Sequence, residues 1–418
     1  MVVPLQTFPP PSRTDMDVTI LMPCLNEART LPACIESALI ALQRLAERSS
    51  LRGEILISDN GSNDGSPELA EQLGARVVHC PVRGYGAALR FGALSARGRY
   101  IVMGDADASY DFCDGVAMVE ALESGHELCM GSRFAGQILP GAMPWKNRYI
   151  GNPMLTGVLN LFFRSGFSDA HSGLRAFTKQ AFLRINPTAL GMEFASEMVI
   201  KAALLGCKRC EVPIVLRPDG RDRPPHLRPF RDGWRHLRYL IMLSPAWLYL
   251  IPGLTLVGVG ITLFALLLSK PPGSVLAIGP FWLGDHWMAL AMGMTACGHL
   301  SVLFALAATL VGIRNGYRQV TPVLALLYRC SRLETQLLVS LLFIAIGMLL
   351  IGNTVLTWAG GHFGALSMQR EMIAGATALV LGVQSFFGAF LLSVIAGNES
   401  NLDKAVDDAD RRRRRGPR

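Results

Sequence analysis

Four long apolar runs constrain this chain more than any other feature: residues 246–268, 287–313, 337–358 and 373–396. Each is longer than the roughly 20 residues that a helix needs to cross a bilayer core. Together they hold one ionisable side chain, His299. Helices buried in a large soluble domain are the competing explanation, but half of all residues are hydrophobic and only 17% charged. That is too apolar for an ordinary soluble protein, and the excess sits almost wholly after Ser244. The runs therefore predict a transmembrane domain over 246–396. His299 reads as a packed helix contact rather than a proton relay.

Lys and Arg in the short loops predict the orientation. Lys270 alone lies between the first two spans, and Arg370 alone between the last two. Arg314, Arg318, Arg329 and Arg332 lie between the second and third, and Lys404 with Arg411–Arg415 follows the fourth. The N-terminal 240 residues, the middle loop and the C-terminus are thus expected on the cytoplasmic side, in an integral protein of the cytoplasmic membrane. The start, MVVPLQTFPPPSRTD, is Pro-rich and polar, so no cleavable signal peptide is expected. Most of the nine cysteines lie in apolar stretches, where a free Cys packs as a small hydrophobe. Cys207-Lys-Arg-Cys210 has no second CxxC to complete a zinc site.

Ahead of the spans, short apolar or β-branched runs at 18–22, 54–58, 76–80, 100–104 and 127–131 alternate with helix-type segments at 28–48, 67–73, 86–96 and 114–124. That alternation predicts an α/β domain with a mostly parallel sheet covered on both faces. Ligands of such sheets gather at the carboxyl ends of the strands, and the unusual residues of this chain fall there. The first strand ends in Pro23-Cys24-Leu25-Asn26-Glu27 and the second in Asp59-Asn60-Gly61-Ser62-Asn63-Asp64-Gly65. The third leads into Arg83-Gly84-Tyr85-Gly86, and the fourth into Asp105-Ala106-Asp107. Any one of these could be a solvated turn; four in succession on one edge describe a polar pocket. A carboxylate pair there suits Mg²⁺ or Mn²⁺ carrying a diphosphate. No GxxxxGK[ST] loop is present, and PCLNE stands where a dinucleotide fold would place GxGxxG.

These segments resemble the inverting family 2 glycosyltransferases of GT-A fold. Gly131-Ser132-Arg133, the run Asp169-Ala-His-Ser172-Gly173-Leu-Arg175-Ala-Phe177, and Glu211-Val-Pro213-Ile214 narrow the resemblance to the branch similar to dolichyl-phosphate mannose synthase. The stretch Arg231-Asp-Gly-Trp-Arg-His-Leu-Arg238 is similar to prokaryotic members called dolichol-phosphate-glucose synthetases. The resemblance implies a GT-A (Rossmann-like) domain over 17–216, moving a hexose from a GDP-mannose or UDP-glucose type of donor to a polyprenyl phosphate. It implies that Pro23, Asn26, Glu27, Asp59, Asn60 and Gly86 line the nucleoside pocket. Asp105 and Asp107 would be the metal–diphosphate pair, with Ser109 a third ligand. Arg133, Ser172 and Arg175 would meet the acceptor phosphate, and Arg217 the donor diphosphate. Three positions depart from the family pattern: Cys24 replaces a common Tyr, Asn60 a common second Asp, and Gly220-Arg-Asp-Arg223 the family's Gly-x-Ser-Lys. The last keeps positive charge without the hydroxyl, so Arg221 and Arg223 are candidate phosphate contacts.

The chemistry is consistent with that assignment. A phosphate monoester has a second pKa of about 6, so the acceptor is anionic at neutral pH and needs little general-base help. The site must position two repelling anions and stabilise the departing diphosphate, for which planar Arg forks and a divalent metal are suited. Asp105, Asp107, Arg133 and Arg175 are accordingly the expected catalytic set.

Flanking segments complete the organisation: a flexible stretch at 1–16, a basic juxtamembrane segment at 217–245, and a basic tail at 397–418. The juxtamembrane segment interleaves arginines with Trp234 and Leu237 and is expected to lie on anionic headgroups. The adjoining spans argue against nucleic acid as its partner. A polysaccharide synthase with a different acceptor is the alternative enzyme, but the Gln-x-x-Arg-Trp motif it calls for is missing. A transporter or scaffold with a degenerate transferase domain is the non-enzyme alternative, disfavoured by the intact acids and arginines. Homo-oligomerisation is left open.

Overall fold

A computed structural model describes residues 16–221, 229–271, 273–279, 281–320, 333–364 and 368–396. Residues 1–15 of the expected N-terminal segment, Arg223, Arg329, Arg332, Lys404 and Arg411–Arg415 lie outside the described residues. The chain divides between Leu243 and Ser244 into two compact units.

In the first unit a seven-stranded sheet has the order β3-β2-β1-β4-β6-β5-β7. Its strands are β1 (Val18–Cys24), β2 (Gly53–Asp59), β3 (Arg76–His79), β4 (Tyr100–Met103), β5 (Leu128–Ile138), β6 (Arg175–Thr178) and β7 (Arg209–Leu216). β1 pairs parallel with β2 and β4, β2 with β3, and β5 with β7; β6 runs antiparallel between β4 and β5. The alternation along the sequence identifies the parallel strands but not β6, whose four residues, RAFT, are too short to show a period. Helices α1 (Leu31–Ser49), α2 (Ser66–Gln72), α3 (Tyr85–Ser95) and α4 (Gly115–Glu123) lie within two or three residues of their expected bounds. Four further helices, α5 (Asn152–Phe163), α6 (Lys179–Ile185), α7 (Phe194–Leu204) and α8 (Pro229–Met242), complete the unit.

Period-two alternation sends the strand side chains into two cores. Val18, Ile20 and Met22 of β1 face one layer with Cys34, Ile35 and Ala38 of α1 and Val116 and Val119 of α4. Leu21, Leu56, Ile101 and Met103 face the other, with Leu89 and Ala93 of α3 and Phe194 and Met198 of α7. Phe177 and Phe182 stack there at 5.2 Å; removing either ring costs about 3–5 kcal/mol. His236 and Leu240 of α8 are buried, while Trp234 and Met242 are exposed. Sheet order reverses direction about β1: β2 and β3 follow on one side and β4 on the other. The carboxyl ends of β1 and β4 therefore flank a topological switch point, where α/β sheets open a crevice.

Among the described residues the second unit contains four helices long and apolar enough to cross a membrane: Ala246–Leu268, Trp287–Arg314, Leu333–Gly360 and Gln369–Ala396. Small residues let their backbones approach closely, as expected where lipid removes the hydrophobic drive between helices. A Cβ on Gly347 would sit 2.6 Å from the Leu379 amide, and one on Gly298 2.6 Å from the Gly253 carbonyl. His299 bonds Gln384 at 3.0 Å and Ser385 at 3.1 Å on the fourth helix, the packing contact its sequence position suggests. Arg370 is paired with Asp285 at 2.6 Å and also donates to the Leu267 carbonyl.

Candidate functional site

The loops that follow β1, β2 and β4 meet at the switch point, and their side chains bond largely to one another. Asp59, the last residue of β2, accepts from the amides of Gly61 and Ser62. Burial would raise its carboxyl pKa, but those hydrogen bonds and His79 hold it below the usual range. Asn26 takes a left-handed φ of 58°, its Oδ1 accepting from the Asn63 amide at 2.8 Å. Asn60 donates to the Val82 carbonyl and accepts from the Gly84 amide. Pro23 stands opposite Ser58 in the β1–β2 ladder. The structure thus brings Pro23, Asn26, Asp59 and Asn60 to one edge, where much of their bonding capacity shapes the loops.

Gly86 opens α3 against the 189–191 segment. The Leu190 carbonyl accepts from the Gly86 and Ala87 amides, and a Cβ on Gly86 would lie 2.3 Å from the Ala189 carbonyl oxygen. A backbone atom cannot yield as a side-chain tip does. Gly86→Ala is therefore expected to destabilise the domain by about 1–3 kcal/mol, read as a lower thermal midpoint; an unchanged midpoint would contradict this packing.

At the end of β4 the chain turns sharply through Ala108, a non-glycine residue at φ 61°, a conformation costing roughly 1–3 kcal/mol that accumulates at functional sites. The turn places two carboxylates side by side. Asp105 Oδ1 accepts from the Tyr85 hydroxyl at 2.9 Å. Asp107 Oδ1 accepts from the Ser109 amide at 3.0 Å and hydroxyl at 2.5 Å. Its Oδ2 lies 3.0 Å from Arg221 Nη1, and Arg221 also reaches Glu27 Oε1 at 2.8 Å. Burial, then the charge of Asp107, raise Asp105 above the usual carboxylate range. The segment after β7 covers this turn: the Arg217 amide donates to the Ser109 carbonyl and the Gly220 amide to that of Asp107.

The donor set fits the implied divalent ion. Two hard-oxygen carboxylates sit together, and their mutual repulsion favours a cation between them. Among the described residues no group of three or more His, Cys, Asp or Glu forms a cage. Mg²⁺ is usually bound through one or two carboxylates, with other positions left to phosphate and water.

Arg133 on β5 is 8% exposed and forks onto the wholly buried Asp169, with Nε–Oδ2 at 2.6 Å and Nη2–Oδ1 at 2.7 Å. Burial alone would raise Asp169, but Arg133 holds its carboxyl low. Glu211 Oε1 accepts from the Ser168 and Asp169 amides at 2.8 and 3.0 Å, and the Tyr110 hydroxyl from the Gly173 amide at 2.9 Å. Arg175 is fully buried, its guanidinium donating to the carbonyls of Ala170, Ser172 and Ala195. It feels the charge of Asp105, so the two are electrostatic neighbours. Ser172 is buried and its hydroxyl makes no hydrogen bond among the described residues. Arg217 stands apart, half exposed and paired with Asp111 at 2.9 Å.

The supporting residues Tyr85, Tyr110, Asp111, Asp169 and Glu211 were not singled out by the sequence argument. Asp169 and Glu211 lie within the motifs that carried the resemblance, which is where a signal existed. Glu197, 0% exposed, takes Lys201 at 2.6 Å and the Thr188 and Ala189 amides, fixing the loop on which Gly86 packs.

Fold and site together define a membrane-embedded α/β protein with an acidic, arginine-rimmed crevice at the switch point of its sheet. A model described as glycosyl transferase family 2 matches residues 19–185, and one for the C-terminal transmembrane region of family 2 glycosyltransferases matches residues 306–396. The low-salt glycan biosynthesis hexosyltransferase Agl6 of Haloferax volcanii is 34% identical over 378 residues, covering 90% of this chain and 88% of its own length. The dolichyl-phosphate hexose transferase of the same organism is 28% identical over 219 residues, covering 52% of this chain and 89% of that protein. Among solved structures, the glucosyl-3-phosphoglycerate synthase of Mycobacterium tuberculosis with Mn²⁺, uridine diphosphate and phosphoglyceric acid aligns with a TM-score of 0.42 and 23% identity, over 54% of this chain and 76% of that one. The chain belongs to the family 2 glycosyltransferases. Its N-terminal domain is of the GT-A type and is followed by membrane-spanning helices, which makes it an integral membrane enzyme.

Proposed function

We propose that this enzyme transfers a hexose, with inversion, from a nucleoside-diphosphate sugar to a polyprenyl phosphate at the cytoplasmic membrane face. The observation that carries the reading is the Asp105–Asp107 pair after β4, whose Asp107 is bridged through Arg221 to Glu27 in the loop after β1. Two acids and a planar cation at the switch point suit a diphosphate with its counter-ion. The loops after β1 and β2, with Pro23, Asn26, Asp59 and Asn60, would take the nucleoside. Asp105 and Asp107 would hold Mg²⁺ or Mn²⁺, which when bound neutralises charge on the departing diphosphate. The Ser109 hydroxyl, spent on Asp107 Oδ1, orients that carboxylate.

The acceptor half of the reading rests on Arg133 and Ser172 beside the same crevice, on the membrane spans, and on the name of the Haloferax dolichyl-phosphate hexose transferase. Arg133 would offer its charge to the lipid phosphate while Asp169 fixes its fork. Arg175 acts as a positioning residue, since its donors hold the 170–172 turn by the backbone. Arg217 would steer the donor by charge from its place on Asp111. The exposed Trp234, with Arg231, Arg235 and Arg238 on α8, suits an anionic interface.

Calorimetry tests the donor half. UDP or GDP should bind in Mg²⁺ or Mn²⁺ and lose most of its affinity in EDTA; equal affinity in EDTA would remove the metal from the account. Reporter tags test the sidedness. Tags at residue 1, in the 314–335 loop and at the C-terminus should be cytoplasmic, and one at Ser274 external. An external C-terminus would contradict the orientation.

A further inference from the structure

β5 and β7 place two thiols opposite each other at the edge of the sheet. Cys129 and Cys210 are direct partners in the parallel ladder, so their side chains leave the sheet on one face. Neighbouring strands lie about 4.8 Å apart, within the roughly 4.4–6.8 Å that a disulfide spans between Cα atoms. Cys129 is 0% exposed. Cys210 is partly exposed on β7, the edge strand of the sheet. The neighbouring Cys129 thiol holds Cys210 below the ordinary thiol range despite its burial, with help from His126 and against Glu211. Cys210 and burial push Cys129 up. Cys24, Cys34, Cys113 and Cys207 are all pushed up by burial.

The pair also adjoins the Arg133 site. Glu211, one residue beyond Cys210, holds the Ser168 and Asp169 amides, and Asp169 holds Arg133. A covalent bond at Cys210 forms one residue away from the carboxylate that holds these amides. We propose that the Cys129–Cys210 pair, juxtaposed across β5 and β7 at the edge of the sheet, is a reversible oxidation site for small hydroperoxides whose closure loosens the Glu211 anchor of the Arg133–Asp169 pair.

The chemistry balances with the peroxide as sole oxidant. The Cys210 thiolate attacks one peroxide oxygen, the O–O bond breaks, and a sulfenic acid forms as hydroxide leaves and takes a proton to become water. The Cys129 sulfur then attacks the Cys210 sulfur; the S–S bond forms, the S–O bond breaks, and the Cys129 proton leaves with the hydroxide as a second water. Two thiols are oxidised and one hydroperoxide is reduced.

The test uses the full-length protein in detergent, treated with hydrogen peroxide, alkylated and digested without reductant. A peptide joining Cys129 to Cys210, lighter by two hydrogens and separated by dithiothreitol, is expected. Hydrogen exchange over Ser168 and Asp169 should quicken on oxidation and return on reduction. Cys210→Ser should abolish both effects without altering exchange in untreated protein, and Cys129→Ala should leave a Cys210 sulfenic acid that dimedone traps. Three results would each overturn the proposal: Cys210 still free at peroxide levels that oxidise Cys80, a link to Cys207 in place of Cys129, or the expected link with unchanged exchange. None of these readouts uses the transferase reaction, so they stand apart from the substrate assignment.

Discussion

Asp107→Asn is expected to lower sugar transfer by a factor of about 10²–10³ or more, the loss typical when a preorganised charge-stabilising group is removed from a reacting centre. The fold should survive. Asparagine keeps the Oδ1 acceptor that takes the Ser109 amide and hydroxyl. The amide nitrogen that replaces Oδ2 meets Arg221, but Arg221 retains Glu27 at 2.8 Å. The change therefore removes one negative charge and little packing. Asp105→Asn should act similarly, because the Tyr85 hydroxyl can donate to an amide oxygen as it does to Oδ1. Steady-state transfer, with circular dichroism as the control for folding, measures the effect. Turnover within a few-fold of the wild type would exclude both acids from the chemistry.

The second large effect is on stability. Asp169→Ala strands the Arg133 guanidinium in a site where it is 8% exposed. Breaking a buried pair by removing one partner costs about 3–5 kcal/mol, because the other charge is left uncompensated. For a domain of this size that lowers the melting midpoint by roughly 6–20 °C, at 2–4 °C per kcal/mol. The double variant Arg133→Met with Asp169→Leu should recover much of the loss, since hydrophobic residues of similar volume can replace a buried pair at little cost. It should not recover transfer. If the double variant were no more stable than the single one, the cost would lie in packing rather than in an orphaned charge. Differential scanning calorimetry on the full chain resolves the two.

Asp105 and Asp107 stand out in the sequence because they end a β-branched run, and so do the spans, whose apolar length has few other uses. The parallel strands and α1–α4 show their periods directly. What escaped is set by distance in space rather than by period. β6 is only four residues long and lies within a motif, so nothing local marks it as an antiparallel strand between β4 and β5. Arg133 and Asp169 are 36 positions apart, and no spacing rule links them. The resemblance placed Arg175 at a phosphate; its full burial, with three backbone carbonyls on its fork, depends on the turn that it ties. Arg221 departs from the family's Ser-Lys, yet the fold brings it to both Asp107 and Glu27, a bridge over 194 positions that only the tertiary structure reveals.

The most direct test of the central claim is a transfer assay with purified full-length protein, radiolabelled nucleotide hexoses and a polyprenyl phosphate, read after organic extraction. The account predicts label in the organic phase as a mild-acid-labile glycosyl phosphate of inverted anomeric configuration, dependent on Mg²⁺ or Mn²⁺ and on Asp107. Label recovered only as polymer or free sugar, or a lipid product of retained configuration, would contradict it.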